Sequence, residues 1–190
     1  WQLSHQRQQI SPPVSQGFAR MGWLVWAILV GQIALGGWTS ANYAAMACVD
    51  LPICQAGWSE QLKFGEAFDL HLGHDNYEYG VMSQEARQTI HIVHRFGAIV
   101  TLFAVGWFAW QLWCRREQTG MAKLPLVLSA LLLLQFCLGV MNVWLGLPLA
   151  NAVAHNFVAA NLLMVLTLSC AQLQQQVQLQ PQMQLQPRRL

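Results

Sequence analysis

Four apolar stretches, each long enough to cross a lipid bilayer, constrain the fold of this chain more than any other feature. They run approximately over residues 18–38, 88–113, 124–147 and 150–171. A helix needs about 20 mainly apolar residues to span the hydrocarbon core of a membrane. The sequence therefore predicts an all-α membrane protein, built as a bundle of four transmembrane helices.

Composition agrees with a membrane location. Hydrophobic residues make up 55% of the chain and charged residues 9%, whereas soluble proteins average about 45–50% and about 25%. The net charge of +2 is small, and no basic stripe with interleaved aromatic side chains occurs. We therefore expect membrane lipid as a partner and exclude nucleic acid.

Lysine and arginine are distributed unequally between the polar segments. One side of the membrane receives the 114–123 loop and both ends of the chain, with Arg7, Arg20, Arg115, Arg116, Lys123, Arg188 and Arg189. The other side receives residues 39–87, with only Lys63 and Arg87. The positive-inside rule therefore places both termini in the cytoplasm and the 39–87 loop outside.

The two ends of the chain differ in composition from its centre. Residues 1–17 are polar and contain two consecutive prolines, which indicates a cytoplasmic linker. Residues 172–190 are mostly glutamine and leucine, which predicts a disordered cytoplasmic tail, although the last helix could continue through residues 172–176. Because the chain begins with Trp1 and lacks a signal-peptide pattern, we expect it to be part of a longer protein.

Histidines stand near the start of two apolar stretches. His94 follows Arg87 by seven residues, and His155 follows Pro148 by seven. At a rise of about 1.5 Å per residue, both imidazoles lie roughly 10 Å along their helices and share one depth. Two imidazoles facing each other across a bundle suit a haem iron. A pair of buried, hydrogen-bonded histidines and a site for another metal are the alternatives.

Two more ionisable residues lie close to His94. His91 is one helical turn away on the same face; it could replace His94 as a ligand, but a polar residue at the membrane interface is the favoured interpretation. Arg95 could donate a charge-assisted hydrogen bond to a haem propionate. Alternatively, its side chain extends outward to water.

A short internal repeat links the four stretches. Gln32–Gly36 matches Gln135–Gly139 as Gln-x-x-Leu-Gly, and His94–Phe96 matches His155–Phe157 as His-x-Phe. Because the two patterns recur in the same order, they suggest two helix hairpins related by an axis along the membrane normal. We expect the glutamines to form hydrogen bonds between helices.

Several motifs along residues 21–166 together resemble a known family. They are Gly36–Tyr43 (GGWTSANY), Cys48–Cys54 (CVDLPIC), His91–Arg95 (HIVHR), Leu138–Val143 (LGVMNV) and Ala152–Asn156 (AVAHN). In this order they are similar to the carboxy-terminal half of haem A synthase. That family has two four-helix halves related by pseudo-twofold symmetry. The resemblance implies that haem b is the cofactor here, with His94 and His155 as its axial iron ligands.

The resemblance also implies a reaction, the oxidation of a methyl group of haem O to the formyl group of haem A. In the family this oxidoreductase chemistry is assigned to the amino-terminal half, which carries a glutamate three residues before a histidine. The corresponding position here is His91, so no catalytic residue is expected in this chain. The chain would instead relay electrons.

The partners follow from the same resemblance: the amino-terminal half with its haem O site, and an electron acceptor outside the chain. The expected location is the bacterial cytoplasmic membrane, and a homo-oligomer is left open. A stand-alone b-type membrane cytochrome and a cofactor-free membrane subunit are the two alternative functions.

The predicted external loop contains two cysteines, Cys48 and Cys54. Outside the bacterial cytoplasm the environment is oxidising. The five intervening residues include Pro52 and can close a small loop, so a disulfide is physically plausible. The resemblance favours that disulfide over two free thiols.

Overall fold

The structure, a computed structural model, describes residues 14–73 and 75–185, with side chains as far as residue 179. The predicted linker over residues 1–17 therefore lies mainly outside the described residues, and a helix already begins at Gln16.

Four long helices dominate the fold, and the described part of the chain contains no strand. They are α1 (Gln16–Ala41), α3 (Gln84–Cys114), α5 (Leu124–Trp144) and α6 (Leu149–Leu185). All four contain a segment long and apolar enough to cross a membrane, which confirms the predicted fold class. Three short helical turns complete the described structure: a 3-10 turn (Trp58–Gln61), α2 (Phe64–Ala67) and α4 (Arg116–Thr119).

The fourth long helix extends beyond its predicted end at residue 171. Because α6 continues to Leu185, the prediction of a disordered tail from residue 172 is wrong as far as that residue, and 186–190 lie outside the described residues. Tertiary contacts explain the extension. Leu173 is fully buried, and the Gln176 side chain donates to the carbonyl oxygen of Thr119 at 2.7 Å. Glutamine and leucine are also good helix formers.

The four long helices form a ring in the order α1, α3, α5, α6. Helix α1 packs against α3 and α6, and α5 packs against the same two helices. Helices α3 and α6 are therefore diagonal to each other, as are α1 and α5. The largest buried cluster fills the half of the bundle next to the α3–α5 connection, with Leu29, Val105, Phe108, Leu112, Leu128, Leu162, Leu166 and Leu173 among its members.

The segment 42–83 packs on the opposite end of the bundle. The indole of Trp38 donates to the carbonyl of Ala67 at 2.9 Å. The Glu66 carboxylate accepts from the backbone N–H of Ser83 at 2.6 Å and from its hydroxyl at 2.8 Å. Because Ser83 is also the N-cap of α3, Glu66 fastens α2 to the first turn of that helix.

Glu66 makes the packing of this segment dependent on pH. The backbone and side-chain hydrogen bonds from Ser83, the backbone one being the larger cause, hold the Glu66 pKa below its ordinary value of 4.5. A lowered folded-state pKa means that the stabilisation is complete above pH 4.5 and is lost as the pH falls through the folded-state pKa. We expect amide protection factors over residues 64–69 to fall in that range. Glu66→Gln should show weaker protection at neutral pH without this transition; an unchanged transition in the variant would contradict the assignment.

Candidate functional site

The half of the bundle next to segment 42–83 contains a partly open cavity of about 370 Å³. Its polar lining residues are Gln32, Thr39, Ser40, His91, His94, Arg95, Thr101, Gln135, Asn142, His155 and Asn156. The remaining lining is largely aliphatic, and Leu51 and Pro52 of segment 42–83 also contribute to the wall. No Asp or Glu from the described residues lines it.

His94 of α3 lies against helix α1. The amide nitrogen of Gln32 is 3.1 Å from Nδ1 of the imidazole and also donates to the His94 carbonyl oxygen at 3.0 Å. One turn further along α1, Gly36 leaves room for the ring: a Cβ at this glycine would lie 3.2 Å from Cε1 of His94.

His155 of α6 has the same surroundings in the second hairpin. The amide nitrogen of Gln135 is 3.1 Å from Nε2 of the imidazole, and a Cβ at Gly139 would lie 3.2 Å from Cε1. The Gln-x-x-Leu-Gly repeat therefore has a structural meaning, because each copy holds the histidine of its own hairpin. The predicted hydrogen bonds of these glutamines between helices are confirmed.

The two histidines thus line one cavity from diagonal helices. The sequence placed them at one depth, and the structure adds that both border the same space. What the sequence interpretation missed is that the repeated glutamines and glycines contact these histidines. The repeat itself was the available signal, since each copy supplies one glutamine, one glycine and one histidine.

Several polar atoms around the cavity are buried without a hydrogen-bond partner in the described part of the chain. They are Oε1 of Gln32, Oε1 of Gln135, Nδ1 of His91, Nδ1 of His155 and Nε of Arg95. Leaving a buried polar group unpaired costs about 1–3 kcal/mol. With Oγ1 of Thr101, the residues that line this one cavity carry six such atoms, which is typical of a site that a polar or charged ligand completes.

His91 lies inside the bundle, where only 4% of it is exposed. This burial does not give its depth in a membrane, so the interpretation of this residue as a polar group at the membrane interface stays a prediction. It lines the cavity, but no glutamine or glycine holds its ring as Gln32 and Gly36 hold His94. The repeated arrangement singles out His94 rather than His91.

Arg95 connects the cavity to the loop closed by two cysteines. Cys48 and Cys54 form a disulfide with their Cα atoms 5.1 Å apart, as predicted. The Arg95 guanidinium donates to the carbonyl oxygens of Asp50, at 2.7 Å, and of Cys48. Its terminal nitrogens therefore bind the loop instead of extending to water, while Nε is buried and unpaired.

Among the described residues, no group of three or more His, Cys, Asp or Glu side chains could hold a metal ion by itself. The chemistry that the site offers is therefore two imidazoles on opposite walls, an apolar space between them, and an unpaired N–H donor, Nε of Arg95.

Comparison with known proteins agrees with the motifs. Residues 1–167 match the COX15-CtaA family, described as cytochrome oxidase assembly proteins. The chain is 48% identical over 140 residues to "Heme A synthase" of Shewanella oneidensis, an alignment that covers 73% of this chain and 42% of that protein. The chain thus spans less than half the length of this relative. No solved structure matches it significantly. The chain belongs to the COX15-CtaA family of cytochrome oxidase assembly proteins, the haem A synthase family that its motifs indicated.

Proposed function

We propose that this chain is the half of a haem A synthase that holds haem b, with His94 and His155 as the axial ligands of the iron. One observation carries the proposal: the two histidines border one cavity from diagonal helices, and each is held by a glutamine and given room by a glycine of the neighbouring helix. A pair of structural histidines would need neither the shared cavity nor the two glycines.

The residues present fit this cofactor. Imidazole is a common axial ligand of haem iron, and helix bundles bind cofactors between facing helices. The cavity volume falls within the range of about 300–1,000 Å³ found for small-molecule sites. Its aliphatic walls, including Ile33, Leu102 and Val140, suit an apolar macrocycle. The unpaired Nε–H of Arg95 suits a carboxylate of its propionates.

Each part of the site has a separate task in this proposal. When bound, haem b supplies a centre that accepts and donates single electrons. His94 and His155 would hold it between α3 and α6, while Gly36 and Gly139 leave room for the two imidazole rings. The loop closed by the disulfide, tied down by Arg95, shields this space at the end of the bundle.

The reaction itself is assigned to the longer protein. No carboxylate from the part of the chain that the structure describes lines this cavity, and the chain covers 42% of its relative. We therefore place the oxidation of haem O to haem A in an amino-terminal half and give this chain the role of electron relay to a further acceptor. By the distribution of lysine and arginine, both ends of the chain are cytoplasmic and the 39–87 loop lies outside a bacterial cytoplasmic membrane.

The proposal is tested by the reduced-minus-oxidised visible spectrum of the detergent-purified chain. Two imidazoles on one iron should give a low-spin b-type spectrum that does not change when carbon monoxide is added, because no axial position is free. Purified protein that binds no haem when it is supplied, or that binds it in a high-spin form, would overturn the proposal.

The enzymatic part is tested separately, by extracting haem from cells that express the chain with or without an amino-terminal half of the family. We expect haem A only when both halves are present. Haem A formed with this chain alone would contradict the role of relay.

A further inference from the structure

Each candidate ligand imidazole is contacted by one amide, and this arrangement occurs twice. We propose that Gln32 and Gln135 are positioning residues, whose amides orient the two ligand imidazoles and tune the iron that the imidazoles hold. The inference rests on the proposed haem site. It concerns two residues that neither the sequence motifs nor the family comparison assigns to the site.

The chemistry of metal-bound histidine explains why such a partner is needed. One ring nitrogen binds the metal, and the other carries a proton that is normally donated to a carbonyl, a carboxylate or water. This hydrogen bond fixes the orientation of the ring and raises its basicity. Helices α1 and α5 supply one side chain able to do this beside each histidine, since a glutamine amide offers both an acceptor oxygen and a donor nitrogen.

In the structure, the nitrogen of each amide contacts the imidazole, and the oxygen of each amide has no hydrogen-bond partner among the described residues. Oε1 of Gln32 and Oε1 of Gln135 are both buried and unpaired. A half-turn of either amide would exchange nitrogen for oxygen and give a ring N–H an acceptor; for Gln32 it would also end the hydrogen bond to the His94 carbonyl oxygen. Both unpaired oxygens are thereby explained by one ligand-bound arrangement, in which the imidazoles carry their protons on the sides facing the glutamines.

A third glycine supports this role for Gln32. Gly97 lies one turn after His94 on α3, and a Cβ at this position would collide with Oε1 of Gln32. The absence of a side chain at Gly97 therefore gives the amide the space from which it reaches His94.

The two imidazoles are not in equivalent states. Gln32 contacts Nδ1 of His94, and Nε2 of that ring has no hydrogen bond within the described structure, so Nε2 would be able to bind a metal once the ring proton had moved to Nδ1. Gln135 instead contacts Nε2 of His155, whose Nδ1 is buried and unpaired. Coordination through Nε2 would require the His155 ring to turn and bring Nδ1 towards Gln135. Turning the Gln135 amide would break no other hydrogen bond within the described structure, whereas the Gln32 amide also donates to the His94 carbonyl oxygen.

The test compares Gln32→Leu and Gln135→Leu with the wild-type chain, each purified and loaded with haem. Leucine keeps the approximate size of the side chain and removes its amide. Both imidazoles remain, so we expect a low-spin b-type spectrum. Without the acceptor the imidazoles become less basic and stabilise ferric iron less, so the midpoint potential should rise. Haem affinity should fall about 10- to 100-fold.

Asn161→Leu is the matched control. Asn161 is also an amide in a membrane helix, but its side chain donates to the carbonyl of Phe157 on its own helix and does not line the cavity. Its midpoint potential and the g values of its ferric electron paramagnetic resonance spectrum should equal those of the wild type. A purely structural role of the glutamines would leave these two quantities unchanged in the glutamine variants as well.

Failure of this inference is distinguishable from failure of the proposed function. Wild-type potential, g values and affinity in both leucine variants would overturn the positioning role and leave the haem site intact. A wild-type chain that binds no haem would overturn both. If the leucine variants do not accumulate, Gln32→Glu and Gln135→Glu keep an acceptor with a negative charge and should lower the potential; an unchanged potential would again overturn the positioning role.

Discussion

Replacing either His94 or His155 with alanine is expected to abolish the low-spin haem spectrum of the purified chain. Each substitution removes one of two imidazoles on opposite walls of the cavity, and the iron would be left with an open axial position. We expect haem to be lost in the double variant and to become high-spin, weakly bound and reactive with carbon monoxide in the single variants. The measurement is the reduced-minus-oxidised spectrum at equal protein concentration.

Free imidazole separates loss of a ligand from loss of the fold. Alanine leaves a space of the size of the missing ring, so added imidazole should restore the low-spin spectrum in the single variants. His91→Ala is the control inside the cavity, because His91 lines the same wall without the supporting glutamine and glycine. His71→Ala is the control outside it. A low-spin spectrum in His94→Ala, together with its loss in His91→Ala, would move the ligand role to His91.

The fold was predictable because the four spanning segments are a property of composition. Segments of this length and hydropathy can be recognised directly in the sequence, and the structure has a helix for each of the four. The residues at which these helices begin and end were harder to predict from the sequence. Helix α3 begins at Gln84 because the Ser83 hydroxyl accepts from the backbone of Ala86, which places the start before the apolar run. The far end of α6 depends on contacts of Leu173 and Gln176 with distant parts of the chain, which local composition does not reveal.

The candidate site, like the fold, was predictable from the sequence only in part. The positions of His94 and His155 followed from helical rise, and the disulfide followed from family resemblance. The partners of Arg95 did not, because the carbonyls of Cys48 and Asp50 lie more than forty residues away in sequence and are brought close by folding. The sequence also did not reveal that Gly36 and Gly139 make room for the two imidazoles. Sequence alone explains Gly36 and Gly139 as sites of close helix approach, and only the structure places an imidazole over each.

Enlarging these two glycines is expected to close the site without weakening the helices. A Cβ at Gly36 or Gly139 would lie 3.2 Å from Cε1 of the facing histidine, which is tighter than ordinary contact, so alanine requires the ring to move by a few tenths of an ångström. Leucine adds three further carbon atoms. We expect Gly36→Ala and Gly139→Ala to weaken haem binding, and Gly36→Leu and Gly139→Leu to abolish it, as measured by titrating the purified apoprotein with haemin.

Helix propensity makes this prediction specific. Replacing a helical glycine with alanine favours the helix by about 1 kcal/mol, so a loss of haem cannot be attributed to a weaker α1 or α5. Gly31→Leu is the matched control, since Gly31 lies on α1, a Cβ there has no neighbour within 4 Å, and it does not line the cavity. This variant should bind haem as the wild type does. Because the same steric change then has opposite outcomes at Gly31 and Gly36, haem binding would be shown to depend on the space beside His94. Wild-type binding in both leucine variants at Gly36 and Gly139 would mean that the two histidines do not hold the cofactor in this cavity.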